Sequence, residues 1–124
     1  MTKLEHVNIT VTDNVKTAQS LINIFGWYIR WQGPSASGGH SIHVGSDSQY
    51  IALSTPPKDS GRPTQFAKGL PLNHICLAVD DLDATEVKVT LAGLTPFNHG
   101  DYYPGRRFYF YDGDGIEYEV VSYV

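Results

Sequence analysis

Leu4-Glu5-His6-Val7-Asn8-Ile9-Thr10-Val11 and, 68 positions later, Leu72-Asn73-His74-Ile75-Cys76-Leu77-Ala78-Val79 are two copies of one stretch. In the first copy Val7, Ile9 and Val11 alternate with His6, Asn8 and Thr10, the period of a strand with one apolar and one polar face. Ile75, Leu77 and Val79 repeat the apolar side, and His74 takes the place of His6. Each copy runs into a helix. Asp13 or Asn14 caps the first, along which Ala18, Leu21, Ile22 and Phe25 recur at helical spacing before Gly26 stops it. Asp80-Asp81 opens the second, with Val87, Leu91 and Leu94 as its expected apolar face and Ala92-Gly93 where Phe25-Gly26 stood. A fold made of two copies of one unit puts equivalent residues in equivalent places, so the two histidines are the first candidates for ligands of one ion.

Working outward, Trp27–Gln32, His40–Val44 and Gln49–Ser54 read as three further strands, separated by the loop 33–39 and the turn 45–48. A proline-rich connector over 56–71 ends this first module, which spans about 1–55. The second module, 72–124, repeats the order. A short strand near Thr95–Asn98 leads to a tyrosine-rich loop, then Phe108–Tyr111, the turn Asp112-Gly113-Asp114-Gly115 and the strand Ile116–Tyr123. Strand–helix–strand–strand–strand occurs twice. The expected fold class is α+β, with two βαβββ modules forming an open, cup-shaped mixed sheet and the helices outside, in a single domain over 1–124.

Composition narrows the function. At 124 residues and 41% hydrophobic content the chain builds one ordinary core. Its net charge of −4, with nine scattered Lys and Arg, argues against a nucleic-acid binder. No apolar run approaches the roughly 20 residues that span a bilayer, and the first residues enter a strand with no secretory leader, so no membrane partner is expected. The single cysteine, Cys76, excludes an internal disulfide and fits a reducing, cytoplasmic setting. Tyrosine, at eight residues, is concentrated in the last quarter, which suits either a small-molecule pocket or strand propensity alone.

The chemistry-bearing residues fall on the polar strand faces. Glu117 and Glu119 share one face of the last strand, with Tyr118 and Val120 on the other. A carboxylate within Ile-Glu-Tyr-Glu-Val-Val is costly to bury unless a charge compensates it. Two imidazoles and one carboxylate match the facial triad of non-haem iron sites and also suit Zn, Mn, Ni or Co. His6, His74 and Glu119 are therefore the expected metal ligands. Arg107, alternating with Tyr109 and Tyr111, is the candidate for an anionic substrate group. Tyr111 and Tyr50 are candidates for the pocket wall. Cys76 shows no activating pattern and reads as a small packing residue. The Asp112–Gly115 run lacks the closing glutamate of a calcium loop and reads as a hairpin turn.

These stretches, with Phe25-Gly26-Trp27, Arg107-Phe108-Tyr109-Phe110-Tyr111-Asp112-Gly113-Asp114-Gly115 and Glu117-Tyr118-Glu119-Val120, resemble the vicinal oxygen chelate superfamily over essentially the whole chain. That superfamily includes glyoxalase I, extradiol dioxygenases, fosfomycin-resistance proteins, bleomycin-binding proteins and methylmalonyl-CoA epimerase. The resemblance implies a divalent metal held from the first and fourth strands of each module, hence His6, His74, Glu119 and a fourth ligand 67 residues before Glu119. That position is Ala52, which binds nothing. The three remaining ligands match the extradiol set, and Tyr109, ten residues before Glu119, matches the tyrosine that hydrogen-bonds substrate there. The resemblance thus implies a metal-dependent dioxygenase, lyase or isomerase of a small oxygenated metabolite, in which Tyr109 is the catalytic residue, working as a homodimer. The alternative is a metal-free binding or sequestering protein of the bleomycin-resistance type.

Overall fold

The alternation of Val7, Ile9 and Val11 becomes an edge strand whose later apolar residues turn away from solvent: Ile9 is 9% exposed and Val11, just past its end, 1%. The chain is described by a computed structural model over residues 1–36, 38–57, 69 and 71–124, so most of the expected connector lies outside the described residues. Two compact units divide it, Met1–Gln65 and Phe66–Val124.

In the first unit β1 (His6–Thr10) leads to α1 (Asn14–Phe25), then β2 (Tyr28–Pro34), β3 (His40–Gly45) and β4 (Tyr50–Thr55). The sheet order is β1-β4-β3-β2. β1 pairs parallel to β4, and the other pairs are antiparallel. Asp13 is the cap of α1, its carboxylate accepting from the backbone N–H of Lys16 at 3.1 Å. Gly26 ends the helix at φ +71°, a left-handed conformation that glycine adopts without strain. Asn14 is buried and serves packing: its amide donates to the carbonyls of Leu53 and His40, tying α1 to β3 and β4.

The second unit repeats this plan with β5 (Ile75–Ala78), α2 (Leu82–Leu91), β6 (Phe97–Tyr102), β7 (Gly105–Tyr111) and β8 (Glu117–Ser122), in sheet order β5-β8-β7-β6. β5 runs parallel to β8 and the rest antiparallel. The expected α+β architecture holds: two open four-stranded mixed sheets, each carrying one helix against its central strands. Among the described residues no helix is long and apolar enough to cross a membrane.

Two expectations for the second unit need correction. The buried face of α2 is Leu82, Thr85 and Val89, whereas Val87 and Leu91 are 58% and 81% exposed and Leu94 is half-buried. Apolar residues lie on both sides of this helix, and Leu82, immediately after the Asp81 cap, sets the phase that wins. The tyrosine-rich segment is mostly sheet. β6 extends to Tyr102, and β7 begins at Gly105, where any side chain would run into the carbonyl oxygen of Ser122. The run Phe-Asn-His-Gly-Asp-Tyr lacks alternation because its pairing is irregular between Phe97 and Gly100, with Asn98 at φ +55°. Alternation could not reveal it.

β8 is buried on both faces. Tyr118 and Val120 join Phe108 and Phe110 of β7 under α2, and Glu119 and Val121 are buried on the opposite side. The Asp112–Gly115 run is the expected hairpin turn. Asp112 closes it by accepting at Oδ1 from the backbone N–H groups of Asp114 (2.9 Å) and Ile116 (3.0 Å). Burial pushes the Asp112 carboxyl up to about 6 despite those two bonds. A folded-state value above the unfolded one means that the native protein holds this proton more tightly, so stability from Asp112 is present below about pH 4 and lost as pH rises through about 6. Asp112→Asn keeps the acceptor oxygen and removes the titration. Measured by urea unfolding, the variant should gain on the parent by on the order of 2 kcal/mol between pH 4 and 7. Parallel pH profiles would contradict this origin of the shift.

Candidate functional site

The polar face of the second sheet collects charge around one buried carboxylate. Glu119, 6% exposed, stands at mid-β8 with Cys76 of β5 opposite on one side and Tyr109 of β7 on the other. Arg107 lies two residues from Tyr109 on the same face and reaches diagonally, Nη1 donating to Glu119 Oε2 at 2.8 Å. Its Nη2 donates to the Gly105 carbonyl at 3.3 Å, and its guanidinium lies 4.6 Å from the centre of the Tyr102 ring. The Nε–H of Arg107 is buried without a partner among the described residues.

The other carboxylate oxygen, Oε1, faces Nε2 of His74 at 2.9 Å. His74 immediately precedes β5. Its other ring nitrogen, Nδ1, lies 2.7 Å from Asn73 Oδ1 and 3.9 Å from Glu117 Oε2. Both ring nitrogens thus face acceptor oxygens, and Glu119 Oε1 accepts from Nε2 when that nitrogen carries the hydrogen.

Tyr109 flanks this pair, its ring 5.9 Å from His74 edge-on. Burial, and then the Glu119 charge, raise its hydroxyl above the usual range, which keeps it a neutral donor. Phe97 stacks on Tyr111 at 5.2 Å and lies 6.1 Å from Tyr109, extending an aromatic wall along the same face. Cys76 is exposed instead of packed. Partial burial and the Glu119 charge push its thiol up to about 11, so it is a poor nucleophile at neutral pH.

The first unit builds a different surface from equivalent positions. His6 is paired in register with Tyr50, and its Nδ1 meets Glu5 Oε1 at 2.7 Å. The Tyr50 ring stacks with His6 at 4.7 Å and with His43 at 4.6 Å, and the Arg30 guanidinium lies 4.5 Å from its centre. Trp31 continues the row at 5.0 Å from His43. Ala52, at the position matching Glu119, is buried, and its cross-strand partner is His43. His43 therefore occupies the place that Tyr109 holds in the second unit. Burial, and then His6 and Arg30, lower the His43 pKa, which keeps the ring neutral. No motif singles His43 out. The signal was the hairpin register, since β3 and β4 flank a short turn and pair Gly45 with Tyr50 and hence His43 with Ala52.

Of the expected site residues, His74, Glu119, Arg107 and Tyr109 come together in the second unit, with Tyr111 further along the wall, and His6 and Tyr50 come together in the first. Among the described residues no group of three or more His, Cys, Asp and Glu side chains is arranged to hold a metal ion.

A family model for the Glyoxalase/Bleomycin resistance protein/Dioxygenase superfamily matches residues 3–120. The chain belongs to that superfamily. A glyoxylase/bleomycin resistance protein/dioxygenase domain from Frankia sp. EAN1pec superimposes with TM-score 0.83 at 23% identity, over 98% of both chains. SMU.1112c superimposes with TM-score 0.77 at 17% identity, again over 98% of both. An E126Q mutant of the fosfomycin resistance protein FosX from Listeria monocytogenes, complexed with Mn(II) and 1S,2S-dihydroxypropylphosphonic acid, gives 0.72 at 22%, over 98% of this chain and 90% of that one. A comparison with curated protein sequences found no significant match. Structural likeness at these identities shows a shared fold and leaves the chemistry to the residues of this chain.

Among the described residues Arg107 is the one Lys or Arg paired with Glu119, so removing it should cost more than a surface ion pair does. Arg107→Met should lower the urea midpoint clearly, and Arg107→Met with Glu119→Gln should recover most of the loss. An Arg107→Met protein as stable as the parent would show that the pair carries no such compensation.

Proposed function

We propose that this chain is a divalent-metal-dependent enzyme acting on a small oxygenated metabolite, with His74 Nε2 and Glu119 Oε1 holding the ion on the second unit. What supports the reading is the contact of His74 Nε2 with Glu119 Oε1 at 2.9 Å, which brings an imidazole nitrogen and a carboxylate oxygen to one point on the polar face of the sheet. The donor chemistry suits one. An imidazole and a carboxylate from adjacent strands are ordinary ligands of Mn, Fe, Co, Ni and Zn, and a ligating carboxylate is commonly held through its second oxygen, as Arg107 holds Oε2 here. The FosX structure with Mn(II) and a vicinal dihydroxy phosphonate lends support from the same fold.

When bound, such an ion supplies Lewis-acid activation of a substrate oxygen. The protein's part is positional. Arg107 fixes the carboxylate through Oε2. The neutral hydroxyl of Tyr109 donates to a second oxygen, and Tyr111 and Phe97 offer a flat apolar wall. Tyr50 lines the equivalent face of the first unit beside His6. A homodimer accords with the open edges of both sheets.

One observation favours a second reading, a metal-free binding protein. Arg107 already neutralises Glu119, and Ala52 stands where a carboxylate would complete the first unit. In that case His74 and Glu119 are simply hydrogen-bonded to each other, and the site binds an anionic organic molecule through Arg107 and Tyr109. Metal analysis of protein purified without chelators or nickel resin, followed by calorimetric titration with Mn(II) and Zn(II), separates the two. The proposal expects about one ion per chain, with binding lost in His74→Ala and Glu119→Gln. No binding by the parent, or binding unchanged in His74→Ala, contradicts it.

A further inference from the structure

Strand β2 breaks its own alternation at one place, and the break sets a cation beside an open indole. Its pairing with β3 shifts between Ile29 and Trp31, so Arg30 is the extra residue of a β-bulge. In a regular strand Arg30 and Trp31 would point to opposite faces. Here both serve the polar face. The Arg30 guanidinium lies 4.5 Å from the centre of the Tyr50 ring, and the Trp31 ring lies 5.0 Å from that of His43. Tyr50 and His43 stack on each other at 4.6 Å, which joins the four side chains into one patch. Gly33, two residues further along the same face, lets the indole lie down, since a Cβ there would meet its six-membered ring at 2.8 Å.

We propose that the bulge at Arg30 and Trp31 is a binding site for a small planar aromatic anion, whose ring lies on the Trp31 indole and whose anionic group pairs with the Arg30 guanidinium. The indole is held by Gly33 and His43 yet stays 48% exposed on an edge strand, so it offers a fixed apolar surface that needs little ordering on contact. Arg30 is exposed, and among the described residues no carboxylate pairs with it. Glu5 is held by His6, and Asp47 accepts from the Tyr28 hydroxyl. Charge complementarity therefore selects an anion, in contrast to Arg107 of the second unit, which Glu119 already neutralises. A neutral ring gains the indole alone, and a non-planar anion gains the guanidinium alone. The site stands on the first unit and needs no metal, so it holds or fails independently of the proposed function.

Calorimetric titration of the metal-free chain with sodium 2-naphthoate tests this, with 2-naphthamide as the neutral ring and cyclohexanecarboxylate as the non-planar anion. The naphthoate should bind, and each of the other two should bind roughly tenfold more weakly or not at all. Arg30→Gln and Trp31→Leu should each weaken the naphthoate by roughly tenfold, and Arg30→Lys by less. Gly33→Ala, which touches neither the ring nor the anion, should weaken it by lifting the indole off the strand. The chain has two tryptophans, and in proton–nitrogen correlation spectra the naphthoate should move the indole N–H signal of Trp31 and leave that of Trp27 in place. No binding by the parent overturns the proposal, as does binding unchanged in Arg30→Gln or in Trp31→Leu, or a cyclohexanecarboxylate that binds as tightly as the naphthoate. Self-association of the parent that Trp31→Leu abolishes would show a second copy on the indole and also overturns it.

Discussion

A carboxylate buried in the middle of a strand is the constraint around which the second unit is arranged. Glu119 lies between an apolar layer under α2 and a polar sheet face, and its charge is met from two sides. β7 delivers Arg107 to one oxygen. The residue just before β5 delivers an imidazole to the other. Antiparallel pairing on one side and parallel pairing on the other bring residues 12 and 45 positions away in sequence onto the same group. The remaining features follow from that carboxylate. Tyr109 and Cys76 flank it in register, and burial, then its charge, raises the pKa of both.

The first unit shows what the same topology does without the carboxylate. Ala52 removes the charge, and Ser41 stands at the register position that Arg107 holds in the second unit. Rings fill the face instead, with His6, Tyr50, His43 and Trp31 in a row across four strands at roughly the strand spacing. One unit therefore presents a charged, directional cluster and the other a flat aromatic row. Equivalent positions have diverged in chemistry while the backbone plan and the histidine at the head of each unit have been kept.

Much of this was legible in the residues. The doubled Leu-x-His strand, the two acid caps and Gly26 gave the order and class of the elements, because alternation and capping are local signals. The second helix face was misread because Val87 and Leu91 are as apolar as Leu82 and Val89, and only packing against β7 and β8 chooses between them. β6 was underestimated because an irregular pairing hides the alternation of its residues. At the site, the shared face of Arg107, Tyr109 and Tyr111 followed from period two. What the sequence could not show was that Arg107 is spent on Glu119, or that Asn73 and Glu5 address the histidines beside them. Those are contacts between side-chain atoms, and no spacing rule encodes them.

The central claim is that the contact between His74 Nε2 and Glu119 Oε1 is a place for a divalent cation. Crystals soaked in Mn(II) or Zn(II), with anomalous diffraction recorded at the metal edge, test it directly. The account predicts an anomalous peak within about 2.0–2.3 Å of both atoms, with Arg107 still on Oε2 and Asn73 still on Nδ1. An empty map, with the two atoms remaining in contact, would contradict it and leave the protein as a metal-free binder.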